Sequence, residues 1–296
     1  MDTSDLANRM KEYEKRNQYY LQKRTPVAIR VDGRSFHTFT KGFKRPFDDV
    51  LIKTMQETAK YMCENMGNAK FAYVQSDEIT IILTDYDTLD TDCWFNYRTD
   101  KLCSISASMA TMAFNKFFAN NVNIFRNSKA VKGYSGQYFG DYEDAIIQLE
   151  VYEKAIDKGA MFDARCFNIP KEEVTNLIYW RQLDATRNSI QMVGQANFSH
   201  KELQNKSCND IQNMLHEQKG INWNDLPIYQ KRGSCCIKKE YAVNDNGEEV
   251  EIDCVTDVDE PIENVTFKSR WIIDTQIPIF KGEDRAYVDN LIYIGE

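Results

Sequence analysis

Residues 71–85 read FAYVQSDEITIILTD, two apolar runs broken at Ser76-Asp77-Glu78. In the second run Ile79, Ile81 and Leu83 fall on one face, and β-branched residues at period two read as a strand. The stretch is therefore a β-hairpin with its tip at residues 76–78. Upstream, PVAIRVD (26–32) alternates Val27, Ile29 and Val31 against Ala28 and Arg30, and ends on the turn dipeptide Asp32-Gly33. Between these strands Leu51, Met55, Ala59, Met62 and Met66 recur at helical spacing, with Asp48 and Asp49 suited to the helix start and Gly67 to its stop. Downstream, Leu102, Ile105, Met109, Met112 and Phe117 mark a helix over 101–121, and MFDARCFNIP (161–170) reads as a strand ended by Pro170. The order β-α-β-β-α-β is the ferredoxin-like split arrangement, an α+β fold.

Outward from this core, residues 5–24 read as a single opening helix. Residues 122–160, which hold GYSGQYFGDYED, read as an irregular insertion. A long helix from about residue 171 carries Tyr179-Trp180-Arg181-Gln182. Ser199 and Glu202 have capping-box spacing, and a polar helix over 209–218 stops at Gly220. The acidic, turn-rich stretch 240–263 reads as a hairpin or excursion, and WIIDTQIPIF (271–280) as a late strand. The expected organisation is a helix over 1–24, a catalytic-type domain over 25–190 and a C-terminal region over 191–296.

With 296 residues, 42% hydrophobic and only 6 Pro and 13 Gly, the chain can build a core and is neither collagenous nor disordered. No apolar run approaches the ~18–20 residues of a membrane-spanning helix, so no membrane partner is expected. The opening residues hold no signal-peptide core. Eight Cys without a C-x-x-C pair, and three His (His37, His200, His216), weigh against a zinc site. The reading is a cytoplasmic protein with reduced thiols. The net charge of −8 would argue against a polyanionic partner, but residues 240–296 alone hold 15 acidic and 4 basic residues. The rest of the chain is slightly basic, which leaves nucleic acid open as a partner.

In the split fold the first and third strands are central neighbours, so Asp32 at the end of one lies beside Asp77-Glu78 at the start of the other. Carboxylates held together repel unless a cation sits between them. Mg2+ shared with substrate phosphates is the usual solution, and two such ions serve phosphoryl and nucleotidyl transfer. Gly33-Arg34-Ser35-Phe36-His37 can offer successive backbone N–H groups to a triphosphate. Lys44, Arg45, Arg98 and Lys101 are candidate phosphate partners. Lys206, Lys231 and Arg232, with Lys238, Lys239, Trp223 and Tyr229, are candidate RNA contacts. The bland readings are ordinary turns, a solvated Arg98/Lys101 pair, a satisfied loop histidine at 37, a polar stripe at 184–188 and a scattered basic surface.

VDGRSFHTF (31–39), AYVQSDEITIIL (72–83), Arg98 with Lys101, and WRQLDATRN (180–188) together resemble the tRNA(His) guanylyltransferase family in order and spacing. The resemblance implies a polymerase-like palm domain that adds nucleotides to the 5′ end of RNA. It assigns Asp32, Asp77 and the Gly33 carbonyl to two Mg2+ ions, and leaves the role of the adjacent Glu78 open within the catalytic set. It assigns residues 32–37, Ser76 and Asp77 to nucleotide binding, and Arg98, Lys101 and Arg45 or Lys44 to triphosphate. It implies ATP and GTP or other NTPs as substrates, tRNA as partner and a homotetramer. Where the eukaryotic enzymes carry His-Ile-Asn-Asn, this chain has Thr186-Arg187-Asn188-Ser189, matching only at Asn188. That departure resembles the branch of template-dependent 3′–5′ polymerases that repair truncated tRNA. The rivals are addition of G to tRNA(His), a nucleotidyl cyclase of the same strand order, and a non-catalytic RNA binder.

Overall fold

A computed structural model describes residues 4–128, 139–244, 249–250 and 265–292. The hairpin is formed by β2 (Ala69–Gln75) and β3 (Glu78–Leu83), joined by Ser76 and Asp77. β1 (Val27–Gly33) lies antiparallel to β3 with Asp32 opposite Glu78, and β4 (Phe162–Asn168) lies on its other side with Asp163 opposite Asp32. The order β4-β1-β3-β2 is the split β-α-β arrangement. All six residues of β3 are buried because both faces of the sheet are covered.

One face carries α3 (Asp49–Asn65), α4 (Thr99–Arg126) and α5 (Phe139–Lys158). Their core with Val27, Ile29, Val31, Ile79 and Ile81 includes Met55, Ala59, Met62 and Phe114. The other face carries α6 (Val174–Asn197) and α10 (Ala286–Ile292), packed over Ala28, Phe71, Tyr73 and Ile82. Short helices α7 (His200–Leu203), α9 (Ile228–Arg232) and the longer α8 (Cys208–Lys219) follow α6. β5 (Ser234–Asn244) joins β2 antiparallel, and β7 (Val265–Asp274) runs along its outer edge.

Several expectations change. The opening helix α1 spans only Asp5–Lys15. Beyond it Thr99 N–H donates to Tyr19 O and Leu21 N–H to Tyr97 O, so residues 19–21 are held extended. The stretch 122–160 is not an irregular insertion: α4 runs on to Arg126, and α5 buries Leu149, Tyr152 and Ala155. The Tyr152 ring meets Phe43 edge-on at 5.1 Å, and its hydroxyl donates to Asp48 at 2.7 Å. Residues 129–138 of that stretch lie outside the described residues. Gly67 does not end α3 by a left-handed turn; Asn68 has the positive φ, and a Cβ on Gly67 would come within 2.9 Å of Trp94. The late strand begins at Val265 and ends at Asp274, after which Ile277 and Phe280 turn into the core beside Tyr73. The capping box at Ser199 and the stop at Gly220 are found where expected. Of 240–263, β5 and the two-residue β6 (Glu249–Val250) are described; residues 245–248 and 251–264 are not.

Candidate active site

The hairpin register brings Asp32 and Asp77 together. Gly33 N–H donates to Asp77 O at 3.1 Å, tying the end of β1 to the turn. Burial pushes the Asp77 carboxyl up to about 6, with the Asp32 and Glu78 charges adding to the rise and hydrogen bonds from its own backbone and Ser76 opposing it. The cation nearest Asp32 is Arg165, at 3.8 Å and half exposed. The pair thus carries excess negative charge on hard oxygen donors, which fits Mg2+. Among the described residues no group of three His, Cys, Asp or Glu forms a closed cage. An open pair leaves coordination sites for water and phosphate.

The loop after β1 is shaped by packing. A Cβ on Gly33 would sit 2.2 Å from the Phe36 ring, which is buried against Phe39, Phe114 and Phe162. Arg34 N–H donates to Met161 O, and Ser35 takes a left-handed conformation before α2 (Phe36–Phe39). Thr38 and Phe39 turn their N–H groups to Ser35 O. Among the described residues the N–H groups of Ser35, Phe36 and His37 make no such bond, which leaves three donors at the place where a phosphate cradle is expected.

These donors open on a cleft of about 610 Å3. Gly33, His37, Lys44, Arg45, Ser76 and Asp77 line it together. Asp48 also lines it, but its oxygens are occupied by Tyr152 and by the N–H groups of Lys44 and Leu51. The sequence reading missed further wall residues, among them Lys41, Met192 and Gln195. Asn188 lines a smaller hollow that adjoins the cleft through Ser76 and Met192. Asn188 and Gln195 are seven apart, one helix face, which was the available signal.

Four expected residues stand elsewhere. Glu78 does not join the carboxylate pair as a free group. Arg181 holds it in a fork, Nε to Oε1 at 2.7 Å and Nη2 to Oε2 at 2.8 Å, and both side chains are about nine-tenths buried. Arg98 and Lys101 lie far from the pair. Thr111 bonds Phe162, opposite Gly33, and Lys101 is ten residues back along α4, ~15 Å of helix rise. Arg98 pairs instead with Asp100 at 2.9 Å. Lys231 is buried, donates to Asn224 O and lies over the Trp223 ring, so it is not a surface RNA contact. Trp223 is itself buried, its Nε1 donating to Ser189. The Arg232 carbonyl accepts from the Tyr73 hydroxyl, while its side chain is half-buried. Lys206 is exposed.

A family model described as tRNAHis guanylyltransferase matches residues 7–170. Among curated proteins, the tRNA(His) guanylyltransferase of Kluyveromyces lactis is 28% identical over 250 residues, covering 80% of this chain and 89% of the relative. That of Saccharomyces cerevisiae is 27% identical over 251 residues, covering 80% and 90%. Among solved structures, a bacterial tRNA(His) guanylyltransferase (Thg1)-like protein in complex with ATP superposes with a TM-score of 0.73 at 39% identity, covering 98% of this chain and all of the other. The carboxylate pair at the hairpin tip, the loop donors and these matches converge, and the chain belongs to the tRNA(His) guanylyltransferase family of nucleotidyltransferases.

Proposed function

We propose that the chain is a template-dependent 3′–5′ nucleotidyltransferase that rebuilds the 5′ end of truncated tRNA. The observation that carries this reading is the half-buried Asp77 beside Asp32, opening on a cleft whose cationic walls are Lys41, Lys44 and Arg45. An acidic pair facing cations is the arrangement that binds a metal–polyphosphate.

Asp32, Asp77 and the Gly33 carbonyl are the groups that would hold Mg2+. Two such ions, when bound, would stabilise charge on the reacting phosphate and its attacking oxygen. The free N–H groups of Ser35, Phe36 and His37 hold the triphosphate, and Lys44 and Arg45 balance its charge. A 5′-monophosphate is first joined to the AMP of ATP with loss of pyrophosphate. The 3′-OH of the incoming nucleotide then attacks that phosphate, and AMP leaves. An RNA that already bears a 5′-triphosphate loses pyrophosphate instead. The template base, not the protein, selects the nucleotide.

Residues 186–189 favour this branch. Thr186 bonds back to Gln182 O and Arg187 pairs with Asp184, while Asn188 and Ser189 line the hollow beside Ser76, Ser189 with its hydroxyl already accepting from Trp223. The ATP and GTP complexes of the bacterial Thg1-like protein, at 39% and 36% identity, support ATP and GTP as substrates. The second reading, addition of G to tRNA(His), is favoured by the activity named for the yeast relatives.

The test supplies a 5′-monophosphorylated tRNA lacking its first nucleotide with Mg2+, ATP and each NTP in turn. Extension that follows the opposite base, and is lost in Asp77→Ala, is expected. Addition of G alone, and to tRNA(His) alone, would favour the second reading. Formation of a cyclic nucleotide, or no product at all, would overturn both.

A further inference from the structure

The wall formed by α6 does not end at the cleft. Arg45 and Gln195 also line a second hollow of about 490 Å3, which continues past Gln191 to His200, Gln204 and Lys206. The two hollows form one trough leading away from Asp77. The second hollow has an apolar floor of Phe198, Leu203 and Ile211, and no carboxylate lines it. The closest acids in sequence are turned aside. Glu202 accepts from the Ser199 N–H at 2.7 Å, and Asp210 from the Ser207 N–H at 2.9 Å, each closing the cap of its own helix. Neither Lys206 and Arg45 here, nor Lys41 and Lys44 in the first cleft, forms an ion pair with a described carboxylate. In a chain with 45 acidic and 37 basic residues, a second hollow walled by Arg45 and Lys206 with no carboxylate in its lining is complementary to a polyanion.

The neutral part of the lining narrows the ligand. Three glutamine amides each offer donors and an acceptor, which suits ribose hydroxyls and base edges as well as phosphate. We propose that this second hollow seats the RNA strand, holding the sugar-phosphate backbone and 2′-hydroxyls of the nucleotides that adjoin the reacting 5′ end. The inference rests on the reading of the chain as an RNA nucleotidyltransferase. Arg45 and Gln195, shared by both hollows, mark where the nucleotide subsite passes into the strand subsite.

The test uses the full chain and the 5′-monophosphorylated tRNA lacking its first nucleotide. RNA affinity is measured by fluorescence anisotropy over a series of KCl concentrations, and ATP affinity by calorimetry. The variants are Lys206→Glu, Lys206→Arg and Gln204→Glu, all at exposed positions where folding is not at stake. Both Glu variants are expected to weaken RNA binding by roughly tenfold, and Lys206→Glu to lower the salt slope by about one, as loss of a phosphate contact does. Lys206→Arg should keep both, and ATP affinity should stay within about twofold in all three. Unchanged RNA affinity and slope in both Glu variants would overturn the proposal. So would a parallel loss of ATP affinity, which would place the hollow in the nucleotide subsite. A wild-type chain that binds ATP but no RNA at any salt would instead remove the functional reading, and the strand subsite with it.

Discussion

Arg181 closes on Glu78 through two charge-assisted hydrogen bonds of 2.7 and 2.8 Å, one residue beyond the turn that carries Asp77. Glu78 is thus a positioning residue: it fixes α6 to the start of β3 and so sets where Asn188, Met192 and Gln195 stand. Removing Arg181 leaves Glu78 buried with only Arg30, at 4.0 Å, to balance its charge. Arg181→Ala is expected to cost about 3 kcal/mol in chemical denaturation, the lower end for a broken buried pair. Asp77→Asn, which relieves a repulsion, should cost nothing while abolishing nucleotide addition. Equal losses of stability in the two variants would contradict this division of roles.

The metal-free chain should show an acid-side stability slope from Asp77. Its carboxyl lies at about 6 in the folded chain against 3.8 as the reference value. Between those values the folded form binds more protons than the unfolded form, so stability falls as pH rises and the deficit is complete above 6. Two units correspond to roughly 3 kcal/mol. Melts at pH 4.5 and 7 should therefore show this deficit at pH 7, its absence in Asp77→Asn, and its relief by MgCl2 at pH 7 but far less at pH 4.5. A Mg2+ shift of equal size at both pH values would count against Asp77 as the ligand.

Arg98 and Lys101 stand back from the Asp77 carboxylate by ~15 Å of helix between Lys101 and Thr111. The expectation is that any contact they make with triphosphate crosses between copies. Mixing Asp77→Ala chains with Arg98→Ala/Lys101→Ala chains is expected to regain activity that neither has alone. A mixture as inactive as its parents would remove the two residues from the reaction.

Lys231 should behave as a core residue. Its ammonium donates to Asn224 O and rests on Trp223, and burial lowers its pKa. Lys231→Ala is expected to lower stability by about 1–3 kcal/mol, the cost of an orphaned buried acceptor, without changing the salt slope of RNA binding. A changed slope at full stability would return it to the surface set.

The hairpin at 71–85, its central neighbour and the meeting of Asp32 with Asp77 were all legible, because strand period and turn residues are local signals. The fork on Glu78 was not, since Arg181 lies 103 residues away and a long-range ion pair leaves no mark on either segment. Lys231 was misjudged for a related reason: charge is read from sequence, but burial under Trp223 is decided by packing. Helix α5 was hidden by the Gly- and Tyr-rich stretch at its start, although Leu149, Tyr152 and Ala155 recur every three residues. The cleft wall at Met192 and Gln195 became visible only once the helix was placed against the sheet.

The facing of Asp32 with Glu78 is one rung of a six-rung ladder running back to Val27 and Leu83. Side chains on such a ladder alternate faces, so losing or gaining one residue in either strand would rotate every later side chain to the opposite side. The carboxylate pair is therefore addressed by counting. Substitutions along β1 and β3 alter how tightly the sheet packs, whereas a single-codon insertion between 27 and 32 would misaddress Asp32 while leaving every residue of the motif in the chain.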